Sequence, residues 1–319
     1  MPPRASILLA TRDRLPYLRL ALESARGQTI RDIEIMVSDD GSTDDTPAYV
    51  ARVAAMDPRV RLITGNPVHG VYENFSYLLD QASSEFVSFL GDDDLLEPTF
   101  VEELLAGFDH VGVLVSYAAF DIIDGAGDTR TEATSRARAF YGYDTVQGGV
   151  QGDASYVALR GQLWLGACLY RKSIVAELGF DQSRYGPAAD WDLALNVAER
   201  GEAYFVPSRQ WRYRDHRATA SRRSLVASRR AAVLVLTSRS YADAALEATR
   251  KWRLRRELLS LAAREIVEDP TAARRTLAVY VTAGGTRRSA RFVALSVLLH
   301  VPDGFRDLAF DLARRASDG

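Results

Sequence analysis

Phe86-Val87-Ser88-Phe89-Leu90-Gly91-Asp92-Asp93-Asp94 decides how this 319-residue chain is read: a short apolar run, a glycine, then three consecutive carboxylates. The run is aromatic and aliphatic, bounded by polar residues and too short for a helix, so it reads as a buried strand ending in Asp92 to Asp94. Three adjacent anions repel, and a cation beside them would relieve that. A hard divalent ion such as Mg²⁺ or Mn²⁺ takes oxygen ligands, and Mg²⁺ is typically held by one or two carboxylates plus substrate phosphates. The competing reading is a solvated acidic turn before a helix over Thr99 to Phe108, with Thr99 and Glu102 as its capping box. That explains Thr99 and Glu102 and leaves the triplet unexplained.

Upstream of the triplet, strand-like and helix-like segments alternate. Ser6 to Ala10 reads as a buried strand, followed by a helix from Leu15 with the apolar stripe Leu18, Ala21, Leu22, Ala25. Asp32 to Val37 is a second strand, running into Ser38-Asp39-Asp40-Gly41-Ser42-Thr43-Asp44-Asp45-Thr46-Pro47, with a helix to about Ala55. Val60 to Thr64 is a third strand, and Phe75, Leu78, Leu79 and Ala82 mark a third helix. Apolar runs that do not alternate with polar residues indicate a mostly parallel sheet covered on both faces. Such sheets bind ligands outside the carboxyl ends of their strands. Thr11 and Arg12, Asp39 and Asp40, and Asp92 to Asp94 all fall at those ends.

Absences narrow the chemistry. No G-x-G-x-x-G follows the first strand and no G-x-x-x-x-G-K-[ST] occurs, which argues against a dinucleotide dehydrogenase or a P-loop enzyme. Phosphate would instead be held by a metal on carboxylates. The net charge of -2 gives no global drive toward nucleic acid. Cys168 is the only cysteine, which excludes an intramolecular disulfide and fits a reducing compartment. The apolar run Ile7 to Ala10 is too short for a signal peptide, and no run approaches the roughly 20 apolar residues of a membrane span. A cytoplasmic location is expected.

Taken together, Ile7 to Arg12, Val37 to Thr46 and Phe89 to Asp94 resemble the family 2 glycosyltransferases of the GT-A fold, over roughly residues 4 to 220. The resemblance implies an α/β fold: a Rossmann-like, mostly parallel central sheet with helices on both faces, followed by a helical C-terminal region. It divides the chain into a catalytic domain over 1–222 (nucleotide-sugar half 1–118, acceptor half 119–222) and a helical region over 223–319. In that family the Asp-Asp-Gly-Ser segment holds the nucleoside of a sugar nucleotide, and the aspartates after the fourth strand bind Mn²⁺ or Mg²⁺. Asp40 is then expected to accept a hydrogen bond from the base, with Asp39 as the alternative. The usual first aspartate of the D-x-D pattern falls on Gly91. That leaves Asp93 as the expected direct ligand, with Asp92 or Asp94 as ribose contact or support. Thr11, Arg12 and Asn74 line the implied nucleotide pocket, although Asn74 also suits a first helical turn.

Further along, Asp121 to Ser155 is rich in Gly, Thr, Ser and Asp with little periodicity and reads as a long loop shaping the acceptor site. Trp164-Leu165-Gly166 belongs to a segment that lines the sugar pocket in the family, and Trp164 reads equally as core. Asp190 precedes the apolar helical face of Leu193, Val197 and Ala198. A carboxylate there suits a helix N-terminus; the resemblance makes Asp190 the catalytic base of an inverting enzyme, with Ala189 replacing the usual glutamate and Asp192 in a supporting place. His216 corresponds to a histidine that some members use as a metal or diphosphate ligand, and Arg212, Arg214 and Arg217 could pair with diphosphate. From Leu225 onward the chain reads as helices, ending with Phe305 to Ala316, that form a cap, with dimer or peripheral membrane contact added.

The function implied is metal-dependent, inverting transfer of a sugar from a nucleotide diphosphate donor, UDP- or dTDP-linked, to a hydroxyl or amine. The acceptor is a glycan, a lipid-linked sugar or a small molecule. A nucleotidyltransferase is the alternative, and it would want a glycine-rich loop where this chain has Thr11-Arg12-Asp13-Arg14. A non-catalytic sugar-nucleotide-binding protein is the other, and an intact Asp190 argues against it.

Overall fold

A computed structural model of the protein describes residues 2–63, 70–216 and 225–300. The chain divides into two compact units, one of residues 1–184 and 189–219, the other of 185–188 and 220–319. The first unit opens β1 (Ala5–Thr11), α1 (Leu15–Arg26), β2 (Ile33–Asp39), α2 (Thr46–Met56), β3 (Val60–Ile63), α3 (Val71–Gln81), β4 (Phe86–Gly91), β5 (Leu95–Leu96) and α4 (Phe100–Leu105). It continues β6 (Val113–Ile123), α5 (Thr131–Tyr141), β7 (Gly149–Gln151), α6 (Ala154–Arg160), β8 (Cys168–Arg171), α7 (Lys172–Leu178), α8 (Gln182–Tyr185, shared with the second unit), α9 (Ala189–Ala198) and β9 (Glu202–Arg214).

Among the described residues nine strands form one sheet, ordered β3-β2-β1-β4-β8-β6-β9-β5, with β7 beside β9. β3, β2, β1 and β4 run parallel, β8 is antiparallel to both its neighbours, and the long β6–β9 ladder is parallel again. The apolar runs of β1, β2 and β4 are buried almost throughout because helices cover both faces. The stripe Leu18, Ala21, Leu22, Ala25 is the buried side of α1. Burying each leucine there contributes about 1.5–3 kcal/mol.

Two expectations differ. The stretch from Asp121 to Ser155 is not one long loop: it extends β6 and contains α5, β7 and the start of α6. Helix α5 buries only Thr134, so it has no apolar stripe for a periodicity reading to find. Nor does the capping box form, since Thr99 bonds Glu103 and Glu102 bonds Thr29.

The second unit contains the helices Leu225–Thr237, Ala244–Glu268, Pro270–Thr282 and Ala290–Leu298. Asp243 and Asp269 cap two of them through the amides of Ala245, Leu246, Thr271 and Ala272. The helix over 244–268 is continuous, because the charged stretch Arg250 to Arg253 contains no residue that breaks a helix. Several arginines between the apolar positions are paired: Arg229 and Arg253 with buried Glu257, and Arg230 with buried Glu265. The expected helix over Phe305 to Ala316, and Arg217, lie outside the described residues. Among the described residues no helix is long and apolar enough to cross a membrane.

Candidate active site

Strand register assembles one edge. Thr11 pairs with Asp39 and Ala10 with Gly91, so the chain leaves β1, β2 and β4 at one level and Thr11, Asp39 and Asp92 become neighbours. The turn after β1 is fastened to the turn after β2. Asp13 Oδ1 accepts from the Thr43 amide at 2.6 Å, the Asp13 amide donates to Ser42 Oγ at 2.8 Å, and the Leu15 amide donates to Asp44 Oδ2 at 3.3 Å. Asp13 is the one non-glycine residue with positive φ (51°) among the described residues. That backbone costs roughly 1–2 kcal/mol for a residue with a Cβ, which the hydrogen bonds to the β2 turn offset.

The acidic triplet splits into two directions. Thr11 Oγ1 donates to Asp92 Oδ2 at 2.9 Å, and Arg14 Nη1 lies 3.0 Å from Asp92 Oδ1 and 2.9 Å from Asp93 Oδ2. His216 Nε2 is 3.1 Å from that same Asp93 oxygen, and its ring rests against Tyr17. Asp94 turns away: its Oδ1 accepts from the Arg214 amide at 2.8 Å, and the residue is buried. Burial raises the pKa of Asp92 and, with Asp93's charge second, raises that of Asp94 well above the ordinary carboxylate value. Arg14 thus offsets the mutual repulsion of the triplet on one side, and on the other burial favours the neutral form of Asp94.

Arg214 does not reach toward a diphosphate. It is fully buried, with Nε on the Asp93 carbonyl at 2.7 Å and Nη1 on the carbonyls of Asp124 and Gly125. Arg212 likewise donates to the Gly127 carbonyl. Arg214→Met should lower unfolding free energy by about 3 kcal/mol, since each orphaned buried acceptor costs roughly 1–3 kcal/mol. A urea midpoint that falls at constant m-value is the expected result; an unchanged midpoint would deny the clamp.

At the end of β2, Asp39 Oδ2 accepts from the Ser42 amide, while its Oδ1 is shielded from solvent and has no hydrogen-bond partner among the described residues. Asp40 Oδ2 accepts from the Gly70 amide at 3.1 Å and lies 3.9 Å from exposed Arg12. Asn74 is buried and structural in its contacts: Oδ1 accepts from Ser38 Oγ and Nδ2 donates to the Gly70 carbonyl. It fixes the entry to α3, where Gly70 has φ 110°.

Asp190 is the second residue of α9, and its Oδ1 accepts from the Trp191 amide. The Tyr72 hydroxyl of α3 bonds its carboxylate, and Tyr72 stacks on Phe180. Burial raises the Asp190 pKa against the lowering effect of these hydrogen bonds. Asp192 is buried and accepts from Asn196. Trp164 joins Phe120, Tyr141, Trp211 and Tyr213 in an aromatic cluster. Gly166 lies under Trp211, whose ring would be 2.7 Å from any Cβ there.

The donor chemistry at Asp93 fits a divalent ion that shares its ligands with phosphate. Among the described residues no three His, Cys, Asp or Glu side chains form a complete cage. Mg²⁺-type sites commonly lack one, filling their shell with water and substrate oxygens around one or two carboxylates. Asp93 with His216 offers such a partial set, whereas Asp94 is committed to β9. Two residues stand out here that the chain alone did not reveal, Arg14 and Tyr72. Arg14 sits three residues past a strand end, and that position was its only signal.

Residues 6–175 match the family model described as glycosyl transferase family 2, so Asp190 and His216 lie beyond the matched stretch. A GalNAc(5)-diNAcBac-PP-undecaprenol beta-1,3-glucosyltransferase of Campylobacter jejuni is 38% identical over 114 residues, which is 34% of this chain and 37% of that protein. This chain therefore spans little more than a third of that relative's length. Among solved structures, S. aureus TarS 1–349 in complex with UDP-GlcNAc superposes with TM-score 0.61 at 15% identity, covering 97% of this chain and 88% of the other. A mannosyltransferase, PcManGT of Pyrobaculum calidifontis, in complex with GDP-Man and Mn²⁺, gives TM-score 0.61 at 15% identity, covering 98% and 87%.

Proposed function

Since this chain belongs to glycosyl transferase family 2, we propose that it moves a sugar from a nucleotide diphosphate donor to an acceptor hydroxyl or amine, with inversion and a divalent ion. One observation carries this reading: the register that sets Asp39, Thr11 and the Asp92–Asp93 turn side by side at one sheet edge. There a nucleoside end and a diphosphate end stand at the spacing of adjacent strands.

Asp39, rather than Asp40, takes the base in this reading. Its Oδ1 is desolvated and unpartnered among the described residues, and a buried acceptor of that kind is costly until a donor such as a base N–H reaches it. Asp40 is committed to Gly70. Asp93 and His216 hold the ion, and the nitrogen donor makes Mn²⁺ more suitable than the strictly oxygen-seeking Mg²⁺. Such an ion supplies Lewis acidity that neutralises charge on a departing diphosphate. Asp92, fixed by Thr11, supports Asp93.

Asp190 takes the acceptor proton as the acceptor attacks the anomeric carbon. Its desolvation raises its proton affinity, which suits a general base, and Tyr72 keeps the carboxylate in place. Attack opposite the leaving diphosphate gives inversion. The neighbours in complex with UDP-GlcNAc and GDP-Man make both nucleotides fair candidates beside dTDP-sugars.

A panel of UDP-, dTDP- and GDP-sugars, each with and without Mn²⁺, tests the donor half by thermal melting. One donor should raise the melting temperature more with the ion than without it, by up to about 2.7 kcal/mol of stabilisation at a hundredfold excess over Kd. Product anomer NMR tests inversion. A panel that shifts nothing, or retained configuration, would overturn the corresponding half of the reading.

A further inference from the structure

We infer that Arg14 is a built-in counter-ion that occupies the cation position of the acidic turn and has to leave it before a divalent ion binds; this rests on the metal reading of Asp93. A single nitrogen, Arg14 Nη1, lies 3.0 Å from Asp92 Oδ1 and 2.9 Å from Asp93 Oδ2. One point of positive charge thus sits between two carboxylates and against the Asp93 oxygen assigned to the ion. His216 Nε2 approaches the same Asp93 oxygen, so both nitrogens converge on the atom offered to the metal.

A second observation is independent of those distances. Asp13 adopts left-handed backbone, and the residues on either side of Arg14 are both tied to the turn after β2. The backbone is therefore fixed and the side chain is the part that moves. An arginine fork leaving the carboxylates finds its best alternative partner in diphosphate oxygens. Ion alone must then displace Arg14 from the two carboxylates, whereas ion with nucleotide offers Arg14 phosphate oxygens in exchange. Metal and nucleotide consequently bind with positive coupling, each tightening the other.

The test titrates the nucleotide-free protein with Mn²⁺, read by the electron paramagnetic resonance of the free ion. Arg14→Gln should bind Mn²⁺ about tenfold or more tightly than wild type, with less further tightening when UDP or GDP is added. In the wild-type protein the Arg14 Nε–H resonance should shift on saturation with Mg²⁺, which keeps the test open should Arg14→Gln fail to fold. Unchanged or weaker Mn²⁺ binding in a folded Arg14→Gln, or an unmoved Arg14 resonance, overturns the inference. The double variant Arg14→Gln/Asp93→Asn separates the two readings. If it loses the ion while Arg14→Gln shows no gain, only the role of Arg14 falls; if it still binds the ion as Arg14→Gln does, the role of Asp93 falls, and that of Arg14 with it.

Discussion

Asp190→Asn should bind donor as wild type does and transfer sugar about 10²–10⁴ times more slowly, the range that a general base typically contributes. The loss corresponds to about 3–5 kcal/mol of transition-state stabilisation. The amide keeps an acceptor oxygen for the Trp191 amide but has no proton affinity at neutral pH, so the helix start survives while the base does not. Single-turnover transfer beside calorimetric donor binding makes the measurement. The pH profile adds a sign. A base works only when ionised, and burial raises the Asp190 pKa above its ordinary 3.8. Wild-type turnover should therefore climb with pH through a value higher than that, and the limb should vanish in Asp190→Asn. In stability the sign is reversed. The folded state keeps this proton after the unfolded chain has lost it, so the contribution is lost as pH rises through the folded pKa. Normal turnover in Asp190→Asn would remove the residue from the chemistry.

Asp93→Asn is the second large effect. Losing the anionic ligand should weaken Mn²⁺-dependent nucleotide binding by about 10²-fold or more, since even residues that only support a metal ligand account for 10–100-fold. Metal-independent nucleotide affinity should change little, because Asp39 and the turn after β2 stay intact. The fold should remain cooperative: an asparagine oxygen can still accept from Arg14, and the turn is also pinned by Arg214 on the Asp93 carbonyl. Calorimetry with and without Mn²⁺ separates the two affinities. Mn²⁺-dependent binding equal to that of wild type would exclude Asp93 as a ligand.

Much of this architecture could be read along the chain, because unbroken apolar runs such as Ile7 to Ala10 have one economical use, a strand covered on both faces. The spacing of Asp39, Asp40 and Asp92 to Asp94 after such runs placed them at one sheet edge for the same reason. What could not be read depends on direction within a turn. Asp93 and Asp94 are adjacent, yet one faces Arg14 and the other the backbone of β9, a difference set by a contact 120 residues away. Arg214 looked like a phosphate ligand because arginine suits that role, and its burial among carbonyls of Asp93, Asp124 and Gly125 is a tertiary fact. Helix α5 was invisible for want of an apolar stripe. Asn74 fitted two roles by type, and only its bonds to Ser38 and Gly70 separate them.

The fastening of Asp13 to the turn after β2 bears on the thermodynamics of donor capture. Fixing one backbone residue costs roughly 1–2 kcal/mol of conformational entropy, and loops that order around a ligand draw that cost from its affinity. Here the segments 11–15 and 39–44 are already locked to each other by Asp13, Ser42, Thr43 and Asp44. The nucleoside therefore meets a wall whose entropy was surrendered during folding. Binding of the nucleoside alone should then show a heat-capacity change set by the area it covers, without the larger change that accompanies coupled folding.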